Sequence, residues 1–376
     1  MQSLDERAFA LQASRMSRSS ATARDGFDWT RWLRWCAGTA FALSFAALAF
    51  TVLFDPYGAN PLRIRFERPL MDINQRFMYP QVLRSGEFDS AVFGTSTTRL
   101  LKPSELEAGF GGHFGNFAMN AATPFEQSKA VGLYLAHMPR LRTIVWGLDD
   151  NWCEKDATAP EKLLTERPFP PWLYEGSTWA SIPHLFNLRT LEIASRVALN
   201  RLGRMKPRLP RNGYDVFLPP DSTYDAARAH EHIWFAKGKA QAVEPASPPY
   251  EASAAERASW RYPGVELLDE TVMPFPQGAR LIILLPPEHV AGLPQPRSFD
   301  EAYRDECKRR LAVIANAHRG FVLDFAIPSP LTREDKNFWD WLHYRLPFAK
   351  RITDALGEAQ AGKTSAEDYR VVAASL

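Results

Sequence analysis

Cysteine is scarce in this chain, three residues in 376, and none sits in a Cys-x-x-Cys spacing, so no cysteine-based metal motif is present. Cys36 falls in an apolar segment. Cys153 and Cys307 are left far apart, either to pair in an oxidising compartment or to stay as two buried free thiols. An excess of one charge is also missing. Lys and Arg total 45 against 43 Asp and Glu, a formal net charge of +2, and no basic run is interleaved with aromatics. Nothing therefore points to a nucleic-acid partner. There is no internal repeat, and no low-complexity segment outside the first residues. Long apolar runs are absent too, with one exception.

That exception is Trp35 to Phe54, WCAGTAFALSFAALAFTVLF, 20 residues without a charge. It matches the length needed to cross about 30 Å of hydrocarbon at about 1.5 Å per residue. Arg31 and Arg34 precede it, behind a tail carrying Arg7, Arg15, Arg18 and Arg24, while the next basic residue downstream is Arg63. The bias predicts a cytoplasmic tail over 1–34 and everything after Phe54 outside the cytoplasm. Ala47-Leu48-Ala49 has the small-x-small form of a signal-peptide cleavage site. The long polar tail and the apolar run continuing past that site favour an uncleaved anchor at 35–54 in the inner (plasma) membrane. The tail, rich in Ser, Ala and Arg without apolar periodicity, is expected to be disordered over 1–27.

At 45% hydrophobic and 23% charged, the remainder is ordinary globular material. Short apolar runs at 90–94, 114–118, 142–148, 280–285 and 321–325 read as strands. Helical patterns fall at 103–110, 125–137, 185–202, 299–317 and from about 337 onward. Strand–helix alternation predicts an α/β fold, a three-layer α/β/α, flavodoxin-like, doubly wound parallel sheet. Its first half spans 55–151 and its second 277–376. Between them, 152–276 is rich in Pro and Trp and does not alternate. It reads as a mixed insertion over the carboxyl edge of the sheet, where such folds hold ligands.

Residues 91–100, AVFGTSTTRL, end a buried strand in a cluster of hydroxyls. Two readings compete. The hydroxyls cap a helix starting at Thr97 or Thr98, or Ser96 is a nucleophile at the strand's end. A serine needs a base, itself oriented by a third group. FWDWLHYR supplies Asp340 and His343 three residues apart, on one side of a turn or helix start. A carboxylate there can hold the imidazole Nδ1–H and leave Nε2 for a serine, with no metal and no cofactor.

GTS after the first strand, NFAMNAATPFE, IVWGLDD and then DWLHYR, in that order, resemble the SGNH (Gly-Asp-Ser-Leu-like) hydrolase superfamily over 88–150 and 278–355. The closer likeness is to its membrane-anchored bacterial members linked to cell-surface polysaccharide acylation. The resemblance implies Ser96 as nucleophile, His343 as base and Asp340 as its orienter. It matches Ala121 to the glycine whose N–H enters the oxyanion hole, a donor that survives if the turn accepts alanine. It sets Asp149 where the family has an asparagine donor. An ionised Asp149 is acceptor-only, so Asp149 is protonated, or points elsewhere, or Asn116 or Asn151 supplies the donor.

Asp150, Asn151 and Trp152, following a strand's carboxyl end, are cleft candidates, and Arg99 is a substrate-anion contact or a salt bridge. Trp339 and Trp341 flank Asp340 as sugar-stacking candidates. His230 and His232, at i,i+2, point apart on a helix and do not suggest a metal.

The resemblance implies an extracytoplasmic serine esterase or O-acyltransferase, foremost for O-acetyl groups, acting on a cell-surface or exopolysaccharide glycan. Other polysaccharide-synthesis proteins would be its partners. The alternative, favoured by Asp149, is a catalytically inactive member that binds glycan or serves assembly.

Overall fold

The structure, a computed structural model, describes residues 28–59, 68–175, 182–235 and 243–374. The tail expected to be disordered, 1–27, lies outside them. The first helix, α1, spans Trp29–Phe54 and holds 26 residues. Its most apolar window has a mean hydropathy of 1.9, and 6% of that window is buried, so α1 is long and apolar enough to cross a membrane. It begins at Trp29 rather than Trp35, which brings Arg31 and Arg34 into its first turns.

Thr51–Leu376 forms a second unit. Its sheet has six strands: β1 Ser90–Phe93, β2 Phe114–Asn116, β3 Thr143–Gly147, β4 Arg280–Leu285, β5 Val322–Asp324 and β6 Arg370–Val371, in the order β2-β1-β3-β4-β5-β6. The first five are parallel and β6 is antiparallel to β5. The expected strands are present, most of them one or two residues shorter. β6 went unread because two residues carry no usable periodicity.

Helices of eight residues or more in this unit are α2 Gln75–Leu83, α3 Pro103–Phe110, α4 Pro124–His137, α5 Leu188–Arg201, α6 Ala226–Trp234, α7 Pro263–Val272, α8 Phe299–Ala317 and α9 Leu346–Gln360. Pro103 and Pro124 stand at the first helical positions, where a missing N–H costs nothing.

Side chains alternate across the sheet. Phe93, Ile144, Trp146, Leu281 and Ile283 join one apolar cluster, with residues of α2, α4, α7 and α8. Val92, Val145, Ile282, Leu284 and Leu323 join another, with Leu106 of α3 and Phe348, Ile352 and Leu356 of α9. Burial on both faces explains why these strands read as continuous apolar runs rather than alternating ones. Cys153 and Cys307 form a disulfide, tying the turn Asp150–Cys153 to α8 across 154 residues of sequence.

One expected helix moves and one does not form. The last one starts at Leu346, not near 337, because 338–345 folds as a tight hairpin. In it Phe338 bridges Tyr344 and the Trp339 N–H donates to the His343 carbonyl at 2.8 Å. No helix begins at Thr97 or Thr98 either: 96–100 is a turn, and the next helix is α3. The carbonyls of Thr98, Arg99 and Leu101, which a helix would use internally, accept instead from the Asn116 side-chain amide at 2.9, 3.2 and 2.9 Å.

Candidate active site

The order of strands reverses at β1, which has β2 on one side and β3 on the other. Loops leaving the carboxyl ends of β1 and β3 therefore diverge and leave a crevice. Ser96 lies just past β1 and Asp149 just past β3. Gly94 makes the first turn possible with φ +139°, and a Cβ there would lie 2.4 Å from Thr98 Oγ1. Ser96 is the one residue of 91–100 that is not fully buried.

Asp340 Oδ1 accepts from the Leu342 and His343 N–H groups, both at 2.8 Å. This is the local turn that Asp favours. It leaves Oδ2 for His343 Nδ1, also at 2.8 Å. His343 Nε2 then meets Ser96 Oγ at 2.9 Å, across 247 residues of sequence. The structure thus brings Ser96, His343 and Asp340 together in the order serine, imidazole, carboxylate. An imidazole so held can accept a proton from the serine hydroxyl while its other nitrogen stays protonated.

Burial by itself lowers the His343 pKa, but the hydrogen bond and charge of Asp340, with a smaller contribution from Asp149, overcome it and hold the imidazole above its ordinary value. Burial raises the Asp340 carboxyl, and its bonds to His343 and the turn N–H groups more than reverse that, leaving it below the ordinary range. A histidine NMR titration should therefore place His343 above ordinary imidazole. Asp340→Asn removes the charge that favours imidazolium and leaves burial, so the apparent pKa should fall below the ordinary value. A titration unmoved by that substitution would show that Asp340 does not set it.

Ala121 has φ +51°, so the turn is kept although alanine occupies it at a cost of about 1 kcal/mol. Arg76 of α2, fully buried, holds that turn. Its guanidinium donates to the Asn120 carbonyl at 3.1 Å and the Ala121 carbonyl at 3.4 Å. Its Nε reaches Glu126 at 3.0 Å, and Glu126 completes the capping box of α4 with Thr123. Neither the Ser96 nor the Ala121 N–H has an acceptor among the described residues, and both residues line one cavity of about 690 Å³. Two free N–H groups beside a serine are the donors an oxyanion needs.

Asp149 is clamped rather than free. Oδ1 accepts from Thr97 Oγ1 at 2.7 Å, and Oδ2 accepts from Thr95 Oγ1. One carboxyl thereby fixes the residues on either side of Ser96. Burial pushes its pKa above the ordinary carboxylate range, against the pull of the two threonines and His343.

Of the other expected residues, Asn151 and Trp341 line the same cavity, and Asn151 Oδ1 is buried without a partner among the described residues. Asp150 lines it too, paired with Arg304 at 2.8 Å. Trp339 lines a neighbouring cavity.

Two expectations, for Asn116 and Trp152, need correction, and of the two readings of Arg99 the salt bridge holds. Asn116 is fully buried with its amide spent on three carbonyls, so it has no donor for the cleft. Trp152 is core, packed edge-on against Trp146 at 5.2 Å. Arg99 points inward as a salt bridge to Asp215 at 3.1 Å, bonds Asn120 Oδ1 at 2.9 Å and lies over the Phe217 ring. His230 bonds Asp335 at 2.6 Å. Among the described residues, no three His, Cys, Asp or Glu side chains converge as a metal site would require.

Sequence reasoning missed Thr95, Thr97, Arg76, Glu126 and Phe217, which packs edge-on to His343 at 6.4 Å. Only the Thr123–Glu126 capping box carried a local signal. Compared with known proteins, the chain matches no family model and no curated protein sequence.

Proposed function

We propose that this chain is a membrane-anchored, extracytoplasmic serine esterase or O-acyltransferase of the SGNH type. Its substrates are O-acyl groups, foremost O-acetyl, of a cell-surface glycan. The observation that carries the reading is the relay from Ser96 Oγ to His343 Nε2 at 2.9 Å and from His343 Nδ1 to Asp340 at 2.8 Å. Ser96 Oγ attacks the acyl carbon as its proton passes to His343 Nε2. The Ser96 and Ala121 N–H groups receive the oxyanion, and Asn151 is the side-chain donor in place of Asp149. Collapse breaks the bond to the sugar oxygen, which takes the proton from His343. Water or a second sugar hydroxyl, deprotonated by the same imidazole, then releases the acyl group.

Because His343 must be neutral to act as base and its pKa is raised, the rate should climb with pH through a value above ordinary imidazole. The strand order 2-1-3-4-5 supports the flavodoxin-like, doubly wound arrangement. The Arg-rich tail before α1 and the Cys153–Cys307 disulfide support an extracytoplasmic body in the inner membrane. A reporter that works only outside the cytoplasm, fused after Leu376, should be active. Silence from a well-expressed fusion would reverse the topology.

The second reading, a non-catalytic glycan-binding or assembly component, is favoured by Asp149 standing where an amide donor is expected. A fluorophosphonate probe on the full-length protein in detergent separates the two. The esterase reading expects one label, on Ser96, and an unlabelled folded protein would leave the second reading in its place.

A further inference from the structure

His343 and Phe217 form a shared wall between two cavities. One, about 690 Å³, contains Ser96, Ala121 and Asn151. The other, about 530 Å³, contains neither Ser96 nor Ala121 but shares His343 and Phe217 with the first. We infer that this second cavity is the subsite for the sugar bearing the ester, leaving the acyl group to the first cavity; the assignment rests on the esterase reading above. The chemistry of the step divides them. The acyl carbon must touch Ser96 Oγ with its oxygen at the two free N–H groups, so it belongs in the first cavity. As the Ser96–acyl bond forms, the acyl–oxygen bond to the sugar breaks and His343 Nε2 gives that oxygen its proton. The leaving oxygen therefore sits at His343, and the sugar behind it extends along the imidazole to its far side.

The lining suits a sugar. Trp339, half-buried, offers a ring braced edge-on by Tyr224 at 5.4 Å. Around it stand Thr223, Asp225, Arg228 and His232. Arg228 and His232 are four residues apart on α6, hence on one face. Among the described residues, neither the Arg228 guanidinium nor the His232 ring has a hydrogen-bond or ion-pair partner, whereas His230 is committed to Asp335. An aromatic platform beside uncommitted planar donors matches a ring with one apolar face and hydroxyls at its edge. None of these residues belongs to the Ser-His-Asp relay, so their contribution falls on substrate selection.

The test uses the full-length protein in detergent with two acetyl esters, glucose pentaacetate and 4-methylumbelliferyl acetate. Only the first has a sugar as its alcohol. For the unaltered protein we expect turnover of both. For Trp339→Ala, Arg228→Ala and His232→Ala we expect the ratio of kcat/KM, sugar ester over aryl ester, to fall about tenfold, the loss of one good contact. Arg228 is exposed, so its variant should fold. If all three variants keep the ratio of the unaltered protein, or if that protein cleaves the aryl ester and ignores the sugar ester, the assignment is wrong while the esterase reading stands. If the aryl ester is not cleaved and Ser96 takes no label, both fall.

Discussion

Ser96→Ala should reduce acyl-ester turnover by about a millionfold, leaving only what binding and the oxyanion donors supply without a nucleophile. The same substitution should leave stability within about 0.5 kcal/mol. Ser96 Oγ bonds to His343 Nε2 and to no other group among the described residues, and it caps no helix. Its removal therefore strands only an imidazole nitrogen that faces a cavity. Asp340→Asn should cost less, about 10⁴-fold, because it disturbs the orientation and tautomer of the base without removing a reacting atom. Rates measured on an activated ester, with unfolding followed on the same preparations, check both. A Ser96→Ala protein that kept a substantial share of the activity would remove Ser96 as the nucleophile. A cap residue would behave in the opposite way, losing about 1 kcal/mol of stability and no activity.

The second large effect is expected far from the relay. Arg76→Leu should destabilise the protein by about 3–5 kcal/mol, the usual consequence of leaving one partner of a buried ion pair alone. Arg76 and Glu126 are both fully buried, so the orphaned carboxylate has no water to turn to. The cost should shrink in Arg76→Leu with Glu126→Gln, since glutamine keeps an acceptor for the Thr123 N–H without a buried charge. Denaturant midpoints of the two proteins measure the difference.

Activity should fall as well, because the guanidinium also holds the Asn120 and Ala121 carbonyls. Without it the Ala121 turn, strained at φ +51°, is free to relax and carry its N–H out of the cavity. Ala121→Gly should make the protein less sensitive to the loss of Arg76, glycine entering that region without strain. Equal stability of Arg76→Leu and the unaltered protein would show that the pair holds neither the turn nor the fold.

The five parallel strands, the long helices and the apolar N-terminal segment were legible in the sequence by itself. Each is written in a contiguous pattern whose period matches its geometry: a short, mostly apolar run for a strand covered on both faces, i,i+3 and i,i+4 spacing for a helix, 20 uncharged residues for a possible span. Asp340 and His343 were legible as a local pair for the same reason, their bond closing within one turn.

What the sequence could not determine depends on residues that meet only after folding. Ser96 and His343 are 247 residues apart, and only the tertiary packing that sets the loop after β1 against the 338–345 hairpin brings them together. The role of Asp149 was open because an acidic side chain takes its function from its neighbours. Thr95 and Thr97, two hydroxyls on another strand's loop, decided that it clamps the turn around Ser96. Asn116 and Trp152 looked like cleft residues by position along the chain. Burial assigned one to three backbone carbonyls and the other to the core, since a buried amide must satisfy its hydrogens and a large apolar ring gains most out of water.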